Sequence, residues 1–372
     1  QSCDDPRVRS ALRRLQPSLA AGLVVLLAGA APAAAQTPGG ATDPLTGTGV
    51  WIWHVAKSDG GAPQAIAARA QAANVSTLII KAAHGPASWP QFSPPLIAAL
   101  KTSGLRVCAY QRLLGRRPLA EAAAAVRAVR SGADCFVIDA ESELEGRYAQ
   151  ARAYVAALRG AVGPAYPIAL TSFPYADVHQ RFPYSVFLGP GGAQFNLPQI
   201  YWKALRAPVA AAFARTYLYN ALYGRPIRPL GQLWSRPPPA QVLAFRELAL
   251  SYGAEGLSWW NWEQAQPTAW PTLVAPLTGG LAAAPAYPTV RRGARGDMVL
   301  WAKDRLRRIG RLPSPGNVFD LAMQIDLVAV QTAAGIAPTG LLDAPTWSYL
   351  LAGGAGDQQV SAARAYSRPR TW

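Results

Sequence analysis

Between Cys135 and Glu145 the chain reads Cys-Phe-Val-Ile-Asp-Ala-Glu-Ser-Glu-Leu-Glu, and four of its 20 acidic residues fall in the last seven of these positions. An apolar run that stops at a carboxylate is the pattern of a buried parallel strand whose C-terminal end emerges into solvent. Side chains alternate along a strand, so Asp139 and Glu141 share a face with their Cβ atoms about 6 to 7 Å apart. Two carboxyls so placed suit cleavage of a glycosidic bond. One stays protonated as the acid, and the other, ionised, stabilises the positive charge that develops on the sugar. The alternative for the same residues is an acidic, solvated loop after a strand.

Such a strand needs parallel neighbours, and the sequence offers them. From Gly49 onward a short apolar strand ending in polar or aromatic residues alternates with an alanine-rich helical stretch. Strands are predicted at 50–55, 77–82, 106–111, 135–141, 167–172, 199–203, 229–234 and 256–262. Amphipathic helices are predicted at 63–73, 94–103, 119–131, 147–162 and 239–252. Eight strand–helix units close naturally into an α/β fold of the (β/α)8 type, a TIM-type barrel, here over 45–276. An open doubly wound sheet is the competing architecture, but Trp-His-Val-Ala follows the first strand where a glycine-rich phosphate loop would be expected.

The C-terminal ends of barrel strands share one mouth, so the residues ending each strand form a candidate site. They include Trp53, Lys81, Gln111, Asp139, Glu141, Gln199, Tyr201, Gln232, Trp260 and Glu263. Aromatic faces stack on the apolar faces of sugars, and amides match their hydroxyls, so a carbohydrate cleft is the expected use. Alternation requires about half of the tryptophans to face the helices instead. The three histidines, His54, His84 and His179, are scattered, and no metal site and no cofactor are expected. Ser172 lacks the glycines of a nucleophile elbow.

Composition bounds the rest. At 372 residues and 51% hydrophobic the chain can bury a full core. Its net charge of +16 comes with no basic run interleaved with aromatics, so an acidic wall polymer fits at least as well as nucleic acid, and no nucleic-acid partner is expected. Residues 1–35 read as a secretory signal peptide: Arg9, Arg13 and Arg14, an apolar stretch over 19–31, and Ala33-Ala34-Ala35 before the expected cleavage point. That stretch is too short to span a bilayer. The expected mature protein is a monomer with no membrane span, secreted or associated with the cell wall. Cys108 and Cys135 fall inside predicted buried strands and are expected as unpaired core residues. A Gly-, Ala- and Pro-rich linker is expected at 277–288, then a small all-α three-helix module at 289–351 and a disordered tail at 353–372.

The 289–351 module resembles the peptidoglycan-binding type 1 domain of bacterial wall hydrolases. The likeness rests on Arg292-Gly293-Ala294-Arg295-Gly296, Val299, Leu306, Val330-Gln331, Ala334-Gly335-Ile336, Thr339-Gly340, Thr346-Trp347 and Leu350, with Ala302-Lys303 departing where that family has Leu-Gln. It implies binding of peptidoglycan, with Arg295, Gln331 and Trp347 as marker residues. The barrel is similar, more faintly, to the family-25 glycoside hydrolases, which are lysozymes, through Ile80-Lys81 and Ile138-Asp139-Ala140-Glu141. That likeness implies Glu141 as general acid, and Asp139 as the group assisting attack by the sugar's N-acetyl group or a water. The family's first-strand aspartate is replaced here by Trp53-His54-Val55. The eighth-strand Ser-Trp-Trp-Asn-Trp also resembles uncharacterised exported barrels of actinomycete type, which implies no reaction. Two readings follow: an exported glycoside hydrolase of peptidoglycan or a related amino-sugar glycan, or a non-catalytic glycan-binding protein using the same mouth. A third carboxylate, from Glu263, Glu143 or Glu145, would separate them.

Overall fold

The computed structural model describes residues 43–277 and 287–353. The expected signal peptide, most of the linker and the tail beyond Gly353 lie outside the described residues. Eight strands line up in parallel: β1 (Gly47–Ile52), β2 (Val75–His84), β4 (Arg106–Leu113), β5 (Cys135–Ala140), β6 (Ile168–Ser172), β7 (Phe195–Pro198), β8 (Leu230–Gln232) and β9 (Gly256–Trp260). The short β3 (Ala87–Ser88) folds back antiparallel on the end of β2. The order β7-β6-β5-β4-β2-β1-β9-β8 leaves one gap, which the parallel bridges Asn196↔Ile227 and Gln199↔Leu230 span. The result is a nearly closed barrel of the (β/α)8 type, as the strand–helix alternation requires.

Alternation along each strand makes two cores. Trp51, Ile79, Cys108, Tyr110, Cys135, Val137, Ala169, Leu197 and Leu230 fill the inside of the ring. Val50, Ile52, Leu78, Ile80, Val107, Phe136, Ile138 and Leu170 face outward. The surrounding helices are α1 (Pro63–Ala72), α2 (Pro94–Thr102), α3 (Pro118–Arg130), α4 (Tyr148–Val162), α5 (Tyr184–Phe187), α6 (Val209–Asn220), α7 (Pro239–Ser251) and α8 (Ala269–Val274). Four of them, α1, α2, α3 and α7, carry proline in the first turn, where its missing N–H costs nothing.

Two expectations are corrected. The sixth barrel strand is 195–198, not 199–203. Pro198 is tolerated because it ends the strand, and past it only Gln199 keeps a bridge. Cys108 and Cys135 are not free: they stand opposite each other on adjacent strands, 4.6 Å apart at Cα, and form a disulfide inside the barrel. Two inward positions in register across a parallel pair bring the sulfurs together, a relation invisible in either strand alone.

The C-terminal module consists of α9 (Asp297–Arg308), α10 (Leu321–Ala333) and α11 (Ala344–Leu351), tied by the antiparallel bridges Val290↔Leu342 and Arg295↔Val318. Asp320 and Asp343 cap α10 and α11 by accepting from Met323 N and Thr346 N. Gln331 and Trp347, expected to mark ligand contact, are fully buried: the Gln331 amide binds Thr339, Gly340, Leu341 and Thr346, and the Trp347 indole donates to the Pro288 carbonyl. Arg295 is exposed. Among the described residues, no helix is long and apolar enough to cross a membrane.

Candidate active site

Strand β5 delivers Asp139 to the inside of the barrel, level with Arg112 on β4 and Thr171 on β6. Glu141 lies just beyond the strand end on the same face. Arg112 binds three carboxylates: Nη1 reaches Asp139 at 3.4 Å and makes a close ion pair with Glu141, and Nη2 holds Glu143 at 2.8 and 3.0 Å. Gln199 donates to Glu141 at 3.1 Å. Burial and the neighbouring Glu141 charge push the Asp139 carboxyl up to about 7, although Arg112 and Lys81 oppose the shift. Burial brings Lys81 down to about 8, with Arg112 adding to the effect and Asp139 opposing it. Burial disfavours the Arg112 charge, yet Asp139, Glu141 and Glu143 outweigh it and push its pKa up.

Aromatic rings form the adjoining wall. Trp51, Tyr110 and Trp260 pack with centroids 4.8, 5.7 and 5.9 Å apart, and Trp53, 43% exposed, lies 6.2 Å from Trp260. Tyr201 meets Trp234 edge-on. Glu263 comes from the loop after β9 and accepts from the His54 backbone N–H, at the end of β1. Its other oxygen is buried without a partner among the described residues, and burial raises its pKa. Gln91 donates to the Trp53 and Lys81 carbonyls and accepts from Val55 N. It also lines an open groove of about 510 Å³ with Gly60, Gly61, Pro63 and Leu96.

The fold therefore gathers Asp139, Glu141, Lys81, Gln199, Trp53, Tyr201, Trp260 and Glu263 at or around one mouth. Gln111 is a correction: it points out of the barrel, where its amide donates to the Gly85 and Glu121 carbonyls and accepts from Tyr154. Gln232 is fully buried, holding Lys203 N and the Trp234 carbonyl. Of the eighth-strand tryptophans, Trp259 packs on Phe245 and Trp262 on Trp270, both toward the helices. Of the possible third carboxylates, Glu143 is held by Arg112 and Glu145 by His179. Glu263 alone of the three reaches the first-strand position.

Sequence reasoning missed Arg112. The signal is present: 108, 110 and 112 alternate onto one face, but the expected strand ends at Gln111, two residues short of the Leu113 end of β4. Among the described residues, no three His, Cys, Asp or Glu side chains converge as metal ligands.

No protein-family model matches the chain, and no curated protein matches it. Solved structures similar to it include a fungal endo-beta-N-acetylglucosaminidase of glycosyl hydrolase family 18, at 16% identity over 61% of this chain and 95% of that one, with a TM-score of 0.47. The Bacillus cereus spore cortex-lytic enzyme SleL is 12% identical over 64% and 76%, with a TM-score of 0.46. An endo-beta-1,4-mannanase from Thermotoga petrophila is 10% identical over 59% and 68%, with a TM-score of 0.45. Likeness at this level assigns no role to any residue.

Proposed function

We propose that the chain is an exported glycoside hydrolase acting on peptidoglycan or a related amino-sugar glycan, with the 289–351 module holding it at the wall. The observation that carries this reading is the Asp139–Glu141 pair: two carboxyls on one arginine nitrogen, beside an aromatic wall that suits sugar faces. Near neutral pH the proton rests on Asp139, since burial and the neighbouring Glu141 charge push its carboxyl up to about 7. This reverses the resting allocation that the family likeness implies. Glu141, more exposed and held by Gln199, is the carboxyl that meets the glycosidic oxygen and passes the proton on, and Asp139 replenishes it. An amino sugar, whose own N-acetyl oxygen can attack in place of a water, is the substrate class this reading favours.

One feature favours the second reading, a glycan-binding barrel without catalysis: Arg112 already engages both carboxyls in the resting mouth. Zymography in gels containing cell walls decides between them. We expect clearing by the mature protein, and a loss of about 10² to 10⁴-fold in Glu141→Gln, the usual worth of general acid catalysis. Clearing that survives Glu141→Gln within about threefold places proton transfer elsewhere. Wall binding without clearing by the wild type supports the binding reading.

A further inference from the structure

Lys81 differs from the other four lysines of the chain. Lys101 pairs with Asp134, Lys203 donates to the Ser235 and Arg236 carbonyls, Lys303 donates to Ser314, and Lys57 is exposed. Lys81 is 5% exposed on the inner face of β2. Its ammonium faces the rings of Tyr110 at 4.9 Å and Trp89 at 5.4 Å, and it has no hydrogen bond or ion pair among the described residues. The nearest charges are the carboxylates of Asp139 and Glu141 and the Arg112 guanidinium, which repels it. A desolvated lysine beside a second cation is an activated amine. Asp139, which holds a proton to about pH 7, shares the mouth with it.

We propose that Lys81 is a second reactive centre, forming a Schiff base with the carbonyl of a small polyhydroxy aldehyde, such as the open-chain form of a reducing sugar. The neutral amine attacks the carbonyl carbon: a C–N bond forms, the carbonyl electron pair moves to oxygen, and the amine proton is transferred to that oxygen. Asp139 then protonates the hydroxyl of the carbinolamine. The C–O bond breaks, water leaves, and the nitrogen lone pair closes the C=N bond. Amine, aldehyde and one proton give iminium and water, and no oxidant or reductant is needed. The aromatic wall and the Gln199 amide hold the remaining hydroxylated carbons, as they would a glycan. The proposal does not rest on glycosidic cleavage, because it concerns a different substrate atom and a different nucleophile.

Trapping tests it directly. The full chain is incubated with glyceraldehyde and cyanoborohydride at pH 7, and the reduced adduct is located by peptide mass mapping. An amine with a pKa near 8 is neutral in about one molecule in ten at that pH, far more often than an ordinary lysine near 10.5. We therefore expect Lys81 to be labelled roughly a hundredfold faster than Lys57, with the excess lost when the chain is unfolded in urea. Asp139→Asn, which keeps Lys81, should slow its labelling by about tenfold or more while Lys57 is unaffected. Labelling of Lys81 no faster than Lys57 in the folded wild type overturns the proposal. An Asp139→Asn variant that labels at the wild-type rate removes Asp139 from the step. Wall clearing is read in a separate assay, so loss of either activity leaves the other result standing.

Discussion

At the mouth, two carboxyls two residues apart in sequence stand in different surroundings. Asp139 is 8% exposed and its charge is disfavoured, whereas Glu141 stands further out against Arg112 and Gln199. A carboxyl raised from an ordinary 3.8 to about 7 in the fold costs stability as pH rises. Below pH 4 it is protonated in both folded and unfolded chains and contributes no difference. Between about 4 and 7 the unfolded chain ionises first, and above 7 the full penalty is present. Asp139→Asn removes that penalty, so it should stabilise the protein at pH 7.5 by up to about 4 kcal/mol and hardly at all at pH 4. Thermal melts at the two pH values check this, and equal or opposite shifts would show that Asp139 is not strained in the fold. A residue whose removal stabilises the molecule while abolishing its activity is the expected trade at a functional site.

At the scale of elements, each site residue is placed by the parity of its strand. Position 111 serves the helical layer and 110 and 112 serve the barrel, so an expected end at Gln111, two residues before that of β4, both promotes Gln111 and hides Arg112. Helices α1, α2, α3, α4 and α7 were legible to within one or two residues, because apolar periodicity and first-turn prolines are local signals. The sixth strand was not, because its bounds are fixed by hydrogen bonds to β6 and to the segment before β8. The same cross-strand relation made the Cys108–Cys135 disulfide. It closes a 27-residue separation, for which chain-entropy arguments give about 3.5 kcal/mol of stabilisation. Reduction, or the double replacement Cys108→Ala with Cys135→Ala, should lower the melting temperature by several degrees. Unchanged melting with and without reductant would show that the disulfide contributes nothing to the native barrel.

At the scale of the molecule, the C-terminal module is seated on the barrel. Asp297, 1% exposed at the start of α9, accepts from Ser185 N, Ser185 Oγ and Tyr223 Oη at 2.8, 2.6 and 2.9 Å, and its own N–H donates to the Gln180 carbonyl. The Trp301 indole donates to the Leu222 carbonyl. Gly296, at φ +106°, lies so close that a Cβ there would meet the Gln180 oxygen at 2.6 Å. Asp297→Ala leaves the barrel donors buried without an acceptor, at about 1 to 3 kcal/mol each, and should release the module. Small-angle scattering should report a larger radius of gyration; an unchanged value would show that the contact does not hold the two together. Burial raises the Asp297 carboxyl to about 6, so the seated state binds a proton more tightly than the released one. Seating should therefore strengthen as pH falls from 6 toward 4. The sequence by itself determined the alternation of strands and helices, the three helices that follow residue 288 and the Asp139–Glu141 pair, because each is written in residues a few positions apart. The tertiary structure decided the burial that raises the Asp139 pKa, the grip of Arg112, the sulfur bridge, the approach of Glu263 to the first strand and the seat under Asp297. Each of these depends on groups far apart in the chain, whose distances exist only once the barrel has closed.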